Sequence, residues 1–444
     1  MVSTIEEPQK QLGAPNLDEQ QERALGLMQT SRNVFLTGMA GTGKSYLVRQ
    51  YIGQAFAERV DMCATTGIAA LNLQQSIYAQ TGLTIPAHTI YRWAGIGIGP
   101  AKGQSNEAFF DTLMRAFSRS TVNAIRRIKK AQVLIIDEIS MLPGRVFNYL
   151  DYHFRTIRGS KEPFGGIQLI VVGDFLQLPP VSKTGIYDWV FLSRAWHEAH
   201  FQSVYLTQIH RQSDPVFISI LNDFREGRVR GASAEILQKR IAKFPSDRIV
   251  RLMTHNIQVD KWNNLKLAAI EEQPEHTFEA QESGDIKELE FLRKNLVTPQ
   301  VLTLKVGARV IVTANLTAGE RLLAANGESG NVVEIDNLRE KIWIKKDDGN
   351  TIPISRYTWK YDMMRDDSGE FTQYPLRLAY AMTIHKSQGL TLDKAIVDIR
   401  AAREPGQAYV AVSRVRSLSG LWLKDSISGV FVSREAINFY KTLL

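Results

Sequence analysis

Lys44 and Ser45 close the run Gly38-Met39-Ala40-Gly41-Thr42-Gly43-Lys44-Ser45, whose spacing fits G-x-x-x-x-G-K-[ST], a loop that holds a phosphate chain. Glycines at 38, 41 and 43 let the backbone curl so that successive N–H groups, that of Thr42 among them, face phosphate oxygens, and the following helix adds its positive dipole end. Lys44 then reaches the β- and γ-phosphates of ATP, and the Ser45 hydroxyl sits on Mg²⁺. The apolar run Val34, Phe35, Leu36 precedes the loop, and Leu47, Val48, Tyr51 and Ile52 follow it at helical spacing. That context separates the motif from a chance glycine-rich loop.

The apolar run Val133 to Ile136 ends in Asp137 and Glu138. In a chain that already holds a phosphate loop, a buried strand ending in two carboxylates is placed to hold Mg²⁺ through Asp137. Glu138 can then orient and deprotonate the attacking water. The bland reading is two solvated acids opening a loop. A third strand, Ile167 to Val172, leads to Gln177, which is placed to sense the γ-phosphate from a loop stiffened by Pro179 and Pro180. Gln21, on an early helix, carries an amide that can read both edges of an adenine, although a surface glutamine is commoner.

These residues need elements to hold them. Residues 1–15, with Pro8, Gly13 and Pro15, read as a flexible lead-in, and Leu17, Ala24, Leu25 and Met28 mark an amphipathic helix capped by Asn16 or Asp18. Apolar strands and helices alternate up to residue 208, the signature of a parallel sheet in an α/β domain, interrupted by a polar segment from Asn72 to Pro86. A second α/β pattern opens near Arg248 and resumes at Leu376. Between them, 301–375 is strand-like, with turns at Asn326-Gly327, Asp348-Gly349 and Ser368-Gly369, and reads as a small inserted β-barrel. The expected domains are therefore 1–208, then 209–300 with 376–444, and the insertion 301–375. The second α/β domain lacks a phosphate loop but presents Arg211 and Arg414, so a nucleotide held between the two domains would meet both as arginine fingers. Arg416 competes with Arg414 by proximity.

At 444 residues the chain exceeds one ordinary core, which agrees with two or three domains. A formal net charge of +8 suits a polyanionic partner, and a solvated basic surface accounts for it equally well. No apolar run reaches bilayer-spanning length and no apolar leader opens the chain, so no membrane partner is expected. The expected location is intracellular, in the cytoplasm for a bacterial or viral source and in the nucleus or mitochondrion for a eukaryotic one. The lone Cys63 excludes an internal disulfide and a cysteine-cluster metal site, and its apolar neighbours make it a buried structural thiol.

The motifs GMAGTGKS, ATTGIAAL, AHTIYRWAGIGIG, IIDEISM, FGGIQLIVVGDFLQLPPV, LTQIHRQSDPVF, LAYAMTIHKSQGLTLD and QAYVAVSRVRSLSGL run in order from Gln21 to Leu421. Together they resemble the motif set of the PIF (petite integration frequency) helicases, superfamily-one DNA helicases that move from five-prime to three-prime. The resemblance implies two RecA-like motor domains, use of ATP and Mg²⁺, and the roles given above for Gln21, Lys44, Ser45, Asp137, Glu138, Gln177, Arg211 and Arg414. Gly389, closing TIHKSQG, counts among the nucleotide-contacting positions. Thr65, Thr66, His88, Thr89, Thr383, His385 and Lys386 fall in motifs that line the single-strand track of the family, a use that hydroxyls and imidazoles at strand ends suit. Trp93 or Tyr91 is available to stack on a base, though each taken alone is more often core.

By the same resemblance, 72–86 stands where the family has its wedge and 301–375 where it has a Src-homology-three-like barrel. The implied partners are single-stranded DNA, forked or structured DNA and RNA–DNA hybrid, with the protein a monomer in the absence of DNA. The implied setting is genome maintenance: replication, recombination, repair, telomeres and G-quadruplexes. The chain resembles a bare motor core, without the partner-binding extensions of some relatives. A nucleic-acid remodeller that hydrolyses ATP without separating strands shares these motor motifs, whereas a P-loop kinase or GTPase needs no second arginine-bearing domain.

Overall fold

The computed structural model describes residues 17–54, 60–82, 85–115, 119–182, 184–241, 244–246, 249–318, 321–361 and 368–443. The expected lead-in 1–15 and the alternative cap Asn16 lie outside them. Asp18 caps helix α1 (Glu19–Met28) in a capping box closed by Gln21.

Six strands form the first sheet: β1 (Val34–Gly38), β2 (Val60–Ala64), β3 (Ala87–Thr89), β4 (Val133–Asp137), β5 (Gln168–Val172) and β6 (Gln202–Leu206). Their order is β3-β2-β4-β5-β1-β6 and every neighbouring pair is parallel. Every residue of β1 and β5 is buried, as central strands covered on both faces require, which is why they read as unbroken apolar runs. A parallel sheet delivers all its strand ends to one edge, so Gly38, Ala64, Asp137 and Val172 open their loops toward the same crevice. Helices α2 (Lys44–Gln54) and α3 (Gly67–Thr81) begin there. Most of the polar segment 72–86 is the second half of α3, which ends at Gly82 with φ 71°, a left-handed turn that glycine adopts without strain. Cys63 is fully buried.

A second parallel sheet takes the order Ala381–Thr383, Arg251–Met253, Ala395–Val397, Leu421–Leu423. Leu376–Leu378, expected to resume this domain, pairs instead with Arg309–Val312 in a five-stranded antiparallel sheet. The β-rich region also reaches back before 301, because His276–Glu279 pairs with Val301–Leu304 and Gln281–Ser283 with Glu370–Gln373. Sequence periodicity missed these strands because they are three and four residues long. Among the described residues no helix is long and apolar enough to cross a membrane.

The end of the chain departs from the expected domains. Helix Arg434–Leu443, assigned above to the second domain, packs into the first: Ala436, Phe439 and Tyr440 join Phe35, Phe175, Phe191 and Trp196. Its apolar face has the aromatic cluster there as a partner, and only the tertiary structure could reveal which core it chose.

The same core holds His153, 1% exposed, with Nδ1 3.3 Å from the Tyr149 hydroxyl and Nε2 3.2 Å from the carbonyl of Ala94. The neutral ring that donates from Nε2 and accepts at Nδ1 satisfies both contacts. Burial lowers its pKa from 6.5 to about 4. The unfolded chain therefore takes up a proton below 6.5 that the folded one refuses, so stability falls as the pH drops from there toward 4. At pH 5 this group accounts for a loss of about 2 kcal/mol. Urea midpoints followed from pH 7 to 5 should decline more steeply in the wild type than in His153→Gln. Equal slopes would contradict the assignment.

Candidate functional site

The phosphate loop takes the shape its glycines permit. Gly41 and Gly43 have φ of 85° and 84°, and a Cβ on them would lie 2.7 Å from Arg211 Cβ and 2.6 Å from Gln21 Nε2. Lys44 folds over the loop, its Nζ donating to the carbonyls of Gly38 at 2.8 Å and Met39 at 2.9 Å. Burial lowers its pKa, against the pull of Asp174, Glu138 and Asp137. The Thr42 hydroxyl donates to Met39 O at 2.9 Å, bracing the turn rather than pointing outward.

The two carboxylates leave β4 in different ways. Asp137 is the last strand residue and accepts from the Glu138 backbone N–H at 2.8 Å. Glu138 itself sits at φ 55°, ψ 42°, a conformation few non-glycine residues adopt and one that marks functional turns. Burial, then Asp137, raises its carboxyl to about 7 against the pull of Lys44 and Arg414. Burial raises Asp137 as well. Two acids whose charged forms burial disfavours suit a cation between them and a phosphate chain. Among the described residues no group of three or more His, Cys, Asp or Glu could hold a metal ion. A cation here would take Asp137 and Ser45, which line one cavity, and draw its other ligands from phosphate and water, as Mg²⁺ does.

That cavity, about 350 Å³, gathers residues from both α/β domains: Gly41, Gly43, Lys44, Ser45, Asp137, Glu138 and Gln177 from one wall, Arg211, Gly389 and Arg414 from the other. Arg414 is 3% exposed and its guanidinium is fixed by the Val410 carbonyl at 2.9 Å and the Ser413 hydroxyl at 2.9 Å. Burial, then Arg211, lowers its pKa to about 9, while Glu138 opposes the shift. Arg211 donates to Ser413 O at 3.3 Å. Arg416 lies outside the cavity, 64% exposed beside Asp393, whereas Arg414 lines it. Gln21 is buried against the loop, its Nε2 3.3 Å from Thr42 O and 3.3 Å from His210 Nε2, and its Oε1 accepts from Asp18 N. Its amide must exchange these contacts before it can meet an adenine.

A second cavity, about 300 Å³, shares Ser45, Asp137, Glu138 and Gly389 with the first and continues along Thr66, Asn72 and His385 to Asn315 and Asn326 of the β-rich region. The residues expected on the strand track also have local contacts. Thr65 Oγ1 donates to Glu138 O at 2.9 Å, Thr66 and Thr89 cap helices, and Thr383 Oγ1 accepts from Lys386 N at 3.4 Å. Burial lowers the Lys386 pKa, with Arg377 adding to the effect. His385 faces Glu404 at 3.5 Å. His88 stacks on Tyr361 at 5.9 Å, and burial with Arg92 and Arg127 lowers its pKa to about 3, so it is neutral. Arg92 also covers the Tyr361 ring at 3.5 Å and meets Glu288 at 3.2 Å, closing the β-rich region over this stretch.

Trp93 corrects the expectation of base stacking. It is 1% exposed, its ring stands edge-on to Phe154 at 5.5 Å and its indole N–H donates to Asp61 at 2.9 Å, so both faces are spent in the core. Tyr91 is half-buried and packs against the same core. Trp93→Ala is expected to cost about 3–5 kcal/mol of stability, read as a fall in urea midpoint. A loss of DNA affinity with unchanged stability would reverse the correction.

Sequence reasoning also missed contributors. The Tyr409 hydroxyl accepts from the Ala40 N–H at 2.8 Å, a direct touch of the second domain on the phosphate loop. Asp174 pairs with Arg225 at 2.9 Å beneath it. Asp174 follows a buried strand, as Asp137 does, and was legible on that ground. Arg225, in the last turn of helix Pro215–Glu226, resembles an ordinary helix-end charge.

Comparisons with known proteins agree with this arrangement. The profile of the PIF1-like helicase family matches residues 16–234. The ATP-dependent DNA helicase Pif1 of Bdellovibrio bacteriovorus is 36% identical over 430 residues, 96% of this chain and 92% of that one. The Pif1 of Bacteroides in complex with ADP-AlF4 superposes with a TM-score of 0.79 at 30% identity, covering 97% of each chain. Bacteroides Pif1 bound to single-stranded DNA, at the same identity and coverage, gives 0.63.

Proposed function

The chain belongs to the PIF1-like helicase family, and from that premise we propose that it moves five-prime to three-prime along single-stranded DNA and splits the duplex ahead of it. It is an ATP-hydrolysing DNA helicase built on two RecA-like domains. The observation that carries the reading is one cavity in which the phosphate loop and Glu138 of the first domain face Arg414 of the second.

In this reading Lys44 and the loop amides hold the phosphates, and Gln21 contacts the base. Ser45 and Asp137 hold Mg²⁺, which when bound neutralises charge developing on the phosphates. Glu138 orients the attacking water and takes its proton, a task its raised pKa suits. Arg211 and Arg414 reach the γ-phosphate only when the domains close, and Gln177 reports its loss. Alternate closing and opening advances the strand past Thr65, Thr66, His88, Thr89, Thr383, His385 and Lys386. The segment 72–86 acts as the wedge, and the β-rich insertion around 301–375 is the Src-homology-three-like barrel. The substrates are forks, quadruplexes and RNA–DNA hybrids in replication, recombination, repair and telomere upkeep, and the protein is a monomer until it meets DNA.

Measuring ATP hydrolysis and strand displacement side by side tests the reading. Hydrolysis should rise on adding single-stranded DNA and be accompanied by displacement of a duplexed strand. Stimulated hydrolysis without displacement would instead identify a remodeller, and a preference for GTP would count against both.

A further inference from the structure

The hydroxyl of Tyr440, on the last helix, reaches into the first domain beneath the phosphate loop. It lies 2.6 Å from Thr37 Oγ1, 3.0 Å from the backbone N of Phe175 and 3.2 Å from Asp174 Oδ1. A phenol has one proton and two acceptor positions. All groups are satisfied when Thr37 and Phe175 N–H donate to the phenol oxygen and the phenol donates to Asp174. Burial pushes the phenol pKa well up, so it remains a donor.

The three partners flank the two segments of the first domain that line the cleft cavity. Thr37 immediately precedes Gly38, while Asp174 and Phe175 open the loop that carries Gln177. Asp174 receives two further bonds from Arg225 of the second domain, Nη2 to Oδ1 at 2.9 Å and Nε to Oδ2 at 3.2 Å, and one from Leu176 N at 3.1 Å. Burial alone would raise the Asp174 pKa, but Arg225 holds it below the usual carboxylate range, so the carboxylate stays charged. Lys44 feels that charge first among its neighbouring carboxylates.

We propose that Tyr440 is a positioning residue of the ATPase, tying the strand that enters the phosphate loop to the loop carrying Gln177 and, through Asp174 and Arg225, to the second domain. The proposal rests on the reading of the cleft as the ATPase centre of a helicase. Without the hydroxyl, Phe175 N–H loses its acceptor and Asp174 one of its donors, so the Gln177 loop is free to shift against the phosphate loop. The last helix is then part of the coupling between hydrolysis and domain movement, as well as an anchor.

Tyr440→Phe keeps the ring and removes the oxygen. On saturating single-stranded DNA its kcat for ATP hydrolysis should fall about tenfold, with KM for ATP changed by about twofold or less and fewer base pairs unwound per ATP. Ile437→Ala thins the packing of the same helix on the core without contact to these bonds, and should lower the melting temperature while leaving kcat and coupling as they were. Thr37→Val removes one donor of the set and should lower kcat in the same direction, which keeps the test open if Tyr440→Phe does not fold. Wild-type kcat and coupling in folded Tyr440→Phe, or in Thr37→Val if the first variant is unfolded, would reduce Tyr440 to an anchor. That result in a protein whose hydrolysis is still abolished by Lys44→Ala overturns this proposal alone. A wild-type protein without DNA-stimulated hydrolysis overturns the underlying reading.

Discussion

Replacing Lys44 with Ala should lower DNA-stimulated ATP hydrolysis by ~10³-fold or more and abolish unwinding, while single-strand binding persists. The ammonium lies over the phosphate loop, held on two of its carbonyls at 2.8 and 2.9 Å, and faces the cavity that would take the phosphates. Its removal also takes away a positive charge that Asp174, Glu138 and Asp137 all act on, so an incoming phosphate chain meets a less favourable field. The candidate track residues Thr66 and His385 line the neighbouring cavity and do not touch Lys44, so their grip on DNA should survive. Hydrolysis kept within about tenfold of wild type would contradict the role, because electrostatic stabilisation of a transferring phosphoryl group is ordinarily a larger effect than that.

The second large effect is expected at Arg414, from the other domain. Arg414→Ala should reduce kcat by ~10³-fold or more, the scale of an arginine finger, with a smaller change in KM for ATP. The guanidinium is buried and aimed by Val410 and Ser413, and the acid facing it is Glu138, across the cleft. A recessed cation with so little opposing charge is poised for an anion, and a γ-phosphate supplies one. Arg414→Lys should not restore activity, since the fixed fork is what the two contacts orient. Arg416→Ala is the control and should stay within about twofold, because that side chain is exposed beside Asp393 and does not line the cavity. An Arg416 variant more damaged than the Arg414 variant would reverse the choice between them. Steady-state hydrolysis at saturating DNA, with kcat and KM separated, reads all three.

Much of this site could be read from the chain because its groups sit at strand ends. Lys44, Asp137 and Gln177 each follow an apolar run that becomes a buried parallel strand, and a parallel sheet brings such ends to one edge. Arg414 could be placed by its position after a short apolar helix, Gln407–Val412. What could not be read depends on tertiary choice. Trp93 could serve a base or the core as far as its motif tells, and only its neighbours, Asp61 and Phe154 from other elements, decide for the core. The last helix advertises an apolar face, and no local feature tells which domain covers it. The β-rich strands flanking 301–375 are too short for their alternation to register, so the boundaries of that region blurred. The segment 72–86 has the polarity of a loop, yet as far as Thr81 it continues α3, since Leu73 and Ile77 supply the buried side of the helix.

If the cleft between the two parallel-sheet domains drives directional strand separation, the polarity of a single-stranded tail decides whether a duplex is opened. ATP-dependent unwinding of two duplexes of the same sequence, one with a five-prime and one with a three-prime single-stranded tail, tests it most directly. Unwinding should be efficient from the five-prime tail, absent from the three-prime tail, and lost altogether in Lys44→Ala. Efficient unwinding from the three-prime tail alone would contradict it.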